Sequence, residues 1–529
     1  MRSALSARTK DARSRFCRGN PSFGAHVMMA ASISTAAYCP GRRRGHCLHI
    51  WLNVNLTVES WFQKQGPDMN AAEKTRGLRG WLDRRYHLTP LFEFLRRKEV
   101  PLGTHWMGWY YFGGITMFFF IVQVITGVLL LMYYQPGEAT AYESIRFLTT
   151  KVPFGWLIRS MHSWSAHLMI ISLTLHMFST MMLKAYRSPR EVTWVSGYLL
   201  FLLTLGFGFS GYLLPWNKLA YFATTVGTNI VRSVPLLGSW LLEVLRGGQD
   251  VTINTLYRFF AAHVVILPLA FVGLIGLHLL LIQRQGMAPP IGEKIAPRGM
   301  KFFPSFALRD VLLWLACLTL LLTLTVFLPY GPGIPGMDWE LGEKANPMAP
   351  AYPGIKPEWY FLWEYQLLKE FPPHLFGLEG PQVCLFLIAI LFGIWAIIPW
   401  LDRRAYHNKP SPAFSDFGWA AILFLTYLTL TGWDIGARGA SSELAAMHNV
   451  ARVCAWWTLA AGAVVIVVRY WLYEDRWFFL AGAALLHVAL HGLVGMSYLL
   501  AGAISVVLAG LVIATSRLVG SRSGSTGSN

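Results

Sequence analysis

Two apolar runs of this chain each carry a pair of histidines at a spacing suited to building metal centres. In the run from Trp156 to Met182 the pair is His162 and His176, fourteen positions apart, with very little other charge. In the run from Phe259 to Ile282 it is His263 and His278, fifteen apart. On an α-helix, fourteen residues rise roughly 21 Å and complete just under four turns. Both rings of a pair then lie on nearly one face, one towards each edge of a bilayer about 30 Å thick. A histidine at such depth costs free energy unless it faces a bundle interior and has a partner there. Two helices offering imidazoles at matching levels point to two bis-histidine metal centres stacked across a membrane.

The ligand count narrows the metal. Zinc takes four ligands, and no apolar run adds a cysteine or carboxylate at either level. Haem needs two axial ligands and a flat apolar slot. The slot needs neighbours that approach closely, and two further runs supply glycines at the same spacing: Gly113 with Gly127, and Gly197 with Gly211. A residue without a side chain lets a backbone or a ring come near. Alternating helix direction places Gly127 and Gly211 with His162 and His263, and Gly113 and Gly197 with His176 and His278. Any one of these residues alone reads as ordinary packing. Eight in register read as an all-α, four-helix, di-haem bundle.

The rest of the sequence must position that bundle in a membrane. Of 529 residues 54% are hydrophobic and only 14% charged, against about 25% charged in a soluble domain. The chain is therefore a polytopic membrane protein. Its formal charge of +18 reads as the positive-inside bias of membrane loops rather than as nucleic-acid binding. The six cysteines form neither CxxC nor CxxCH, which gives no support to a thiolate metal site or to attached c-type haem. About ten spans are expected, near 107–133, 155–183, 193–214, 257–282, 308–329, 382–401, 416–434, 451–471, 477–495 and 498–516. Arginines and lysines gather in the loops after the second, fourth and sixth spans, and acids in the loop 330–380. The basic side should be cytoplasmic, with a cytoplasmic N-terminus. His162 and His263 are then outer, and His176 and His278 inner.

Flanking segments differ in character. Residues 1–68 are basic and hold no spanning run; they read as a disordered extension or as sequence ahead of a true start near Met69. Residues 69–106 form a cytoplasmic segment in which Arg76 to Arg97 is amphipathic and suited to the membrane surface. Residues 107–290 hold the bundle, 291–437 three further spans, and 438–529 extra spans whose role the sequence leaves open, ending in a Ser/Gly-rich tail. His487 and His491 lie there four apart, without a matching second pair.

The segments RSMHSWSAHL from Arg159, GYLLPW from Gly211 and RFFAAH from Arg258 resemble cytochrome b of quinol–cytochrome c oxidoreductases. The fifteen-residue spacing and the Arg284-Gln285-Gly286 that follows are closer to the bf type. The resemblance runs from about Leu88 to Ala437, with the haem-binding and quinol-site parts fused in one chain. It implies two haem b held by the four histidines, a membrane quinol and quinone, a Rieske iron–sulfur partner and a c-type cytochrome subunit. It also implies a homodimeric complex in a bacterial-type cytoplasmic membrane.

Pro357-Glu358-Trp359-Tyr360 is a PEWY motif in the outer loop. Quinol oxidation releases two electrons and two protons, so the site needs a proton acceptor within reach of a haem. The resemblance assigns that role to Glu358 and puts Tyr365 in the quinone pocket. It reads Asn217 to Leu237 as outer helices covering the pocket and docking the iron–sulfur protein. Arg159, one turn before His162, suits either a haem propionate or an interfacial snorkelling role. Arg309 and Asp310, at the inner start of the fifth span, suit either quinone reduction or a membrane-edge charge pair. Two departures stand out. Tyr111 occupies the position where the bf family attaches an extra haem through cysteine, and Ser179 stands where the family commonly has arginine. A di-haem anchor that transfers electrons without bifurcation is the alternative; it needs neither the PEWY motif nor the later spans. A transporter using its histidines as a proton relay is a third reading.

Overall fold

The computed structural model describes most of residues 78–433; residues 1–77 and 434–529, and short stretches chiefly at 102–106, 292–299, 334–336 and 351–354, lie outside it. The N-terminal extension, the last three expected spans, His487 and His491 therefore fall outside the described residues.

Helices dominate, in chain order. A short surface helix α1 (Leu78–Tyr86) precedes a 3₁₀ turn (Met107–Tyr111) and α2 (Phe112–Leu131). Then come α3 (Ala141–Thr150), α4 (Gly155–Met182) and α5 (Glu191–Tyr212). Two helices, α6 (Lys218–Arg232) and α7 (Gly238–Arg246), lead into the long α8 (Ile253–Gln285) and α9 (Phe302–Phe327). The C-terminal part holds α10 (Trp359–Glu370), α11 (Gly380–Ala396) and α12 (Pro412–Trp433). Among the described residues the strands are two-residue pairs, such as Glu99–Val100 against Met300–Lys301.

Among the described residues, five helices are long and apolar enough to cross a membrane: Gly108–Leu131, Gly155–Met182, Glu191–Tyr212, Ile253–Gln285 and Phe302–Phe327. They match the first five expected spans, and the shorter apolar helices Gly380–Ala396 and Phe417–Leu430 fall on the sixth and seventh. Large apolar side chains stay exposed on their outer faces, including Val124, Val128, Leu269, Val272, Leu312 and Leu315. A helix apolar on all sides fits hydrocarbon outside and a bundle inside.

Within the bundle α2 packs along α4, and α5 along α8. Small polar residues let α2 and α4 close. Gln123 Nε2 donates to the His162 carbonyl and to Ser165 Oγ, both at 2.6 Å, and Thr116 Oγ1 donates to Ser172 Oγ at 3.1 Å. A buried cluster of Phe119, Met169, Leu200 and Phe271 takes one residue from each of the four helices. Phe119, Met169 and Phe271 lie about midway along their helices between the two histidine or glycine positions, and Leu200 lies one turn from Gly197. This apolar floor separates the two levels of the ladder.

Candidate haem and quinol sites

The four histidines pair across the bundle. The His162 imidazole lies within electrostatic range of His263, and His176 within range of His278. Every expected glycine stands against a ring. A Cβ built on Gly127 would sit 3.4 Å from His162 Cε1, and one on Gly211 only 2.6 Å from His263 Cε1. Cβ atoms built on Gly113 and Gly197 would sit 3.1 Å from Cε1 of His176 and His278. The glycines thus make room for the imidazoles themselves, one at each level of each helix pair.

The fifteen-residue spacing in α8 has a local cause. Ala262–Ile266 forms a π turn that begins one residue before His263. A π turn takes one more residue than an α turn. The surplus is absorbed there, and His263 and His278 recover the relation that His162 and His176 have in an uninterrupted helix.

Hydroxyls hold three of the rings. Thr126 Oγ1 lies 2.9 Å from His162 Nδ1, Ser210 Oγ 3.0 Å from His263 Nδ1 and Ser196 Oγ 2.9 Å from His278 Nδ1. With Nδ1 engaged, Nε2 is the nitrogen left for a metal, which is how outer-sphere groups fix metal-binding imidazoles. His176 differs, because its Nδ1 is buried without a hydrogen bond. Among the described residues no three His, Cys, Asp or Glu converge as a metal cage. Two imidazoles per level, an apolar floor and glycine clearance fit a haem that the two histidines of each level would hold. Neither hydroxyl nor floor was legible from spacing.

The PEWY segment lies beside the outer level. Glu358 precedes the first turn of α10, and the Tyr360 hydroxyl packs against Gly208 of α5, one turn from Gly211 and Ser210. The loop before it is tied down. Asn217 pairs with Lys344, the Lys218 ammonium meets the Glu343 carboxylate at 2.8 Å, and Trp339 Nε1 donates to the Pro329 carbonyl. Glu358 is only 6% exposed, and its Oε2 is buried without a hydrogen bond. Burial raises its carboxyl well above the usual range, and the neighbouring Asp338 charge pushes the same way.

Spacing alone passes over His167. This third histidine of α4 is buried, and Trp359 Nε1 donates to its Nδ1 at 3.0 Å. Its ring stacks on Trp339 and its Nε2 lies 3.9 Å from Glu358 Oε2. The available signal was an ionisable residue at membrane depth outside the fourteen-residue ladder.

The other expected site residues are placed as follows. Arg159 is buried, and its guanidinium donates to the Trp339 carbonyl at 2.6 Å. Tyr365 Oη donates to the Ile355 carbonyl at 3.3 Å, and Lys369 Nζ lies 4.1 Å over its ring, so it braces the PEWY loop. Asp310 packs directly against Gly114, beside the inner glycine Gly113, with one carboxylate oxygen buried and without a hydrogen bond. Arg309 lies within electrostatic range of Tyr111, whose ring stacks on Phe306 at 4.5 Å. Tyr111 thus fills its position with a packed phenol. Ser179 Oγ donates to the His176 carbonyl at 2.7 Å and is buried in α4. An apolar cavity of about 360 Å³ opens between α5, α10 and α11, lined by Phe361, Trp363, Glu364 and Phe392 among others. Glu358 and Tyr365 do not line it.

Two family models match the chain: "Cytochrome b/b6/petB" over residues 97–286 and "Cytochrome b(C-terminal)/b6/petD" over 344–456. The second match runs past Ala437, the expected end of the resemblance, and takes in the start of the expected eighth span. A cytochrome bc complex cytochrome b subunit of Chlorobaculum thiosulfatiphilum is 46% identical over 379 residues, which cover 70% of this chain and 84% of that protein. A menaquinol:cytochrome c reductase cytochrome b subunit of Geobacillus thermodenitrificans is 42% identical over 217 residues, 40% of this chain and 97% of that protein. A chain of a solved hyperthermophilic respiratory complex III aligns with a TM-score of 0.57 and 25% identity, covering 72% of this chain and 96% of that one. Matches on both sides of the stretch 287–343, which contains α9, account for the histidine ladder and the PEWY helix together: the chain belongs to the cytochrome b/b6 family, with its N-terminal and C-terminal parts fused in one polypeptide.

Proposed function

We propose that this chain is the cytochrome b subunit of a bc-type quinol–cytochrome c oxidoreductase, and that it oxidises a membrane quinol at Glu358. The observation that carries this reading is the position of Glu358. It is a buried carboxylate whose Oε2 has no hydrogen bond, on the segment that packs against α5 beside the His263 level. A group so placed takes a proton from a quinol hydroxyl once it is ionised, and burial makes it a stronger base than an exposed carboxylate.

Two haem b fit the ladder, with His162 and His263 as outer ligands and His176 and His278 as inner ligands. When bound they supply one-electron transfer across the membrane. The protein's own residues do the rest. Thr126, Ser196 and Ser210 fix the imidazole orientation, and Phe119, Met169, Leu200 and Phe271 keep water out of the space between levels. With haems bound at both levels, one quinol electron would pass to a Rieske iron–sulfur partner and the other across the bundle. The two protons leave on the outer side. Electrons arriving at the inner level reduce a quinone near Arg309 and Asp310, where Asp310 is suited to deliver a proton from the cytoplasmic side. A c-type cytochrome subunit and a homodimeric assembly in a bacterial cytoplasmic membrane complete the proposal. Exposed Leu236, Leu237 and Trp240 beside the outer helices suit a docking surface.

A di-haem anchor accounts for the histidines but leaves the buried Glu358 and its braced loop without a role. A reduced-minus-oxidised spectrum of membranes containing the chain tests the redox reading directly. Two b-type components are expected, and their absence would overturn it. Glu358→Gln should then slow quinol oxidation while leaving both components in place.

A further inference from the structure

We infer that His167 is a positioning residue for Glu358: a fixed N–H donor from α4 that makes the buried carboxylate usable as a base. The inference rests on the quinol-oxidation reading above and adds to it a group outside the histidine ladder.

The tautomer follows from the partner. An indole N–H can only donate. Since Trp359 Nε1 donates to His167 Nδ1 at 3.0 Å, that nitrogen carries the lone pair. A neutral imidazole then has its hydrogen on Nε2, and this is the nitrogen 3.9 Å from Glu358 Oε2. The donor nitrogen therefore lies near a buried carboxylate oxygen, Oε2, that lacks a hydrogen bond. A displacement of roughly 1 Å brings the two into ordinary hydrogen-bond range.

The ring cannot easily turn away. It stacks on Trp339 with centroids 5.1 Å apart, and Trp339 stands edge-on to Trp164 at 5.0 Å. Trp164 Nε1 donates to the Leu328 carbonyl, and Arg159 to the Trp339 carbonyl. Trp359 adjoins Glu358 in the chain, so one PEWY residue sets the tautomer that serves its neighbour.

Other groups around Glu358 do not supply this donor. Asp338, from the preceding loop, opposes ionisation, and Tyr360, in the first turn of α10, is a second buried acid. Lys356, two residues earlier and buried, is the remaining charged group of this segment. His167 is the contribution of α4. A hydrogen bond to a carboxylate is stronger than one between neutral groups, so the Nε2–H favours the ionised, proton-accepting form. His167 itself exchanges no proton, because protonation at Nδ1 would displace the Trp359 indole.

The test uses the intact complex in membranes and two readouts: the pH profile of quinol oxidation, and the infrared band of the protonated Glu358 carboxyl, assigned by its loss in Glu358→Gln. His167→Leu should move the acid limb of the profile and the midpoint of the band upward together, by about one pH unit. That is a roughly tenfold loss of rate on the acid side. His167→Gln, which keeps an N–H, should restore most of the shift. Trp359→Phe, which releases the tautomer but leaves the imidazole, should give a smaller shift in the same direction and serves if the leucine variant does not assemble. A profile and band in these variants that superimpose on the wild type would overturn the inference. If Glu358→Gln itself leaves turnover unchanged, it is the quinol-oxidation reading that falls.

Discussion

Replacing the four ladder glycines by alanine, one at a time, should give a graded loss of haem with a defined order. The built Cβ on Gly211 meets His263 Cε1 at 2.6 Å and Nδ1 at 3.1 Å, whereas the one on Gly127 meets His162 Cε1 at 3.4 Å. The latter is an ordinary carbon contact; the former requires the ring to retreat by roughly 0.8–1 Å. The His263 ring is held by Ser210 at 3.0 Å and flanked by Phe207 at 5.5 Å, so a retreat strains or breaks that hydrogen bond. Overpacking of a filled interior costs about 1–3 kcal/mol and a lost hydrogen bond about 0.5–1.5 kcal/mol. Together they approach 2–4 kcal/mol, a weakening of ligation by roughly 30- to 1,000-fold. Gly127→Ala should cost less than about 1 kcal/mol, and Gly113→Ala and Gly197→Ala should fall between. The assay is the haem-to-protein ratio of the purified complex, with the difference spectrum reporting which component is lost. Gly211→Ala retaining full haem, or Gly127→Ala losing as much as Gly211→Ala, would refute clearance for the imidazoles as the reason for these glycines.

Removing the hydroxyl beside an imidazole should raise the midpoint potential of the adjacent centre. Ser210→Ala and Thr126→Ala should raise the outer centre by roughly 20–60 mV, and Ser196→Ala the inner one; redox titration of the bands reads this, and unchanged potentials would remove the hydroxyls from tuning. Glu358→Gln should stabilise the protein increasingly with pH. A carboxyl whose folded pKa is raised loses stability from its unfolded value, about pH 4.3, up through the raised one. Melting temperatures of the variant and wild type should therefore diverge across that window, and parallel curves would contradict the sign. Gly114→Ala puts a methyl where both Asp310 carboxylate oxygens now lie; it should slow reoxidation of the inner centre in a flash experiment while sparing quinol oxidation.

Hydropathy and spacing made the histidine–glycine ladder legible because the α-helix converts sequence separation into depth. The five long helices fell where the apolar runs placed them for the same reason. What stayed hidden depends on contacts between segments far apart in sequence. Nothing local says that Trp359 donates to His167 across 192 positions, or that Arg159 spends its guanidinium on the Trp339 carbonyl 180 positions away. Tyr111 shows the same limit: as a departure from a motif it raised only a question, whereas packing gives it a distant partner, the Phe306 ring. The hydroxyls on Thr126, Ser196 and Ser210 were hidden because serine and threonine are common in packed membrane helices for other reasons.

The π turn at Ala262–Ile266 gives α8 a reading frame that α4 lacks. Deleting one residue within it, Val264 for instance, would convert the turn to ordinary α-helix and leave His263 and His278 facing the same way. Deleting one residue between His162 and His176 would swing one ring by roughly 100° out of line with the other. The two ligand helices therefore differ in what length changes they can survive. In α8 a fourteen-residue and a fifteen-residue spacing become interchangeable states of one architecture, separated by a single codon.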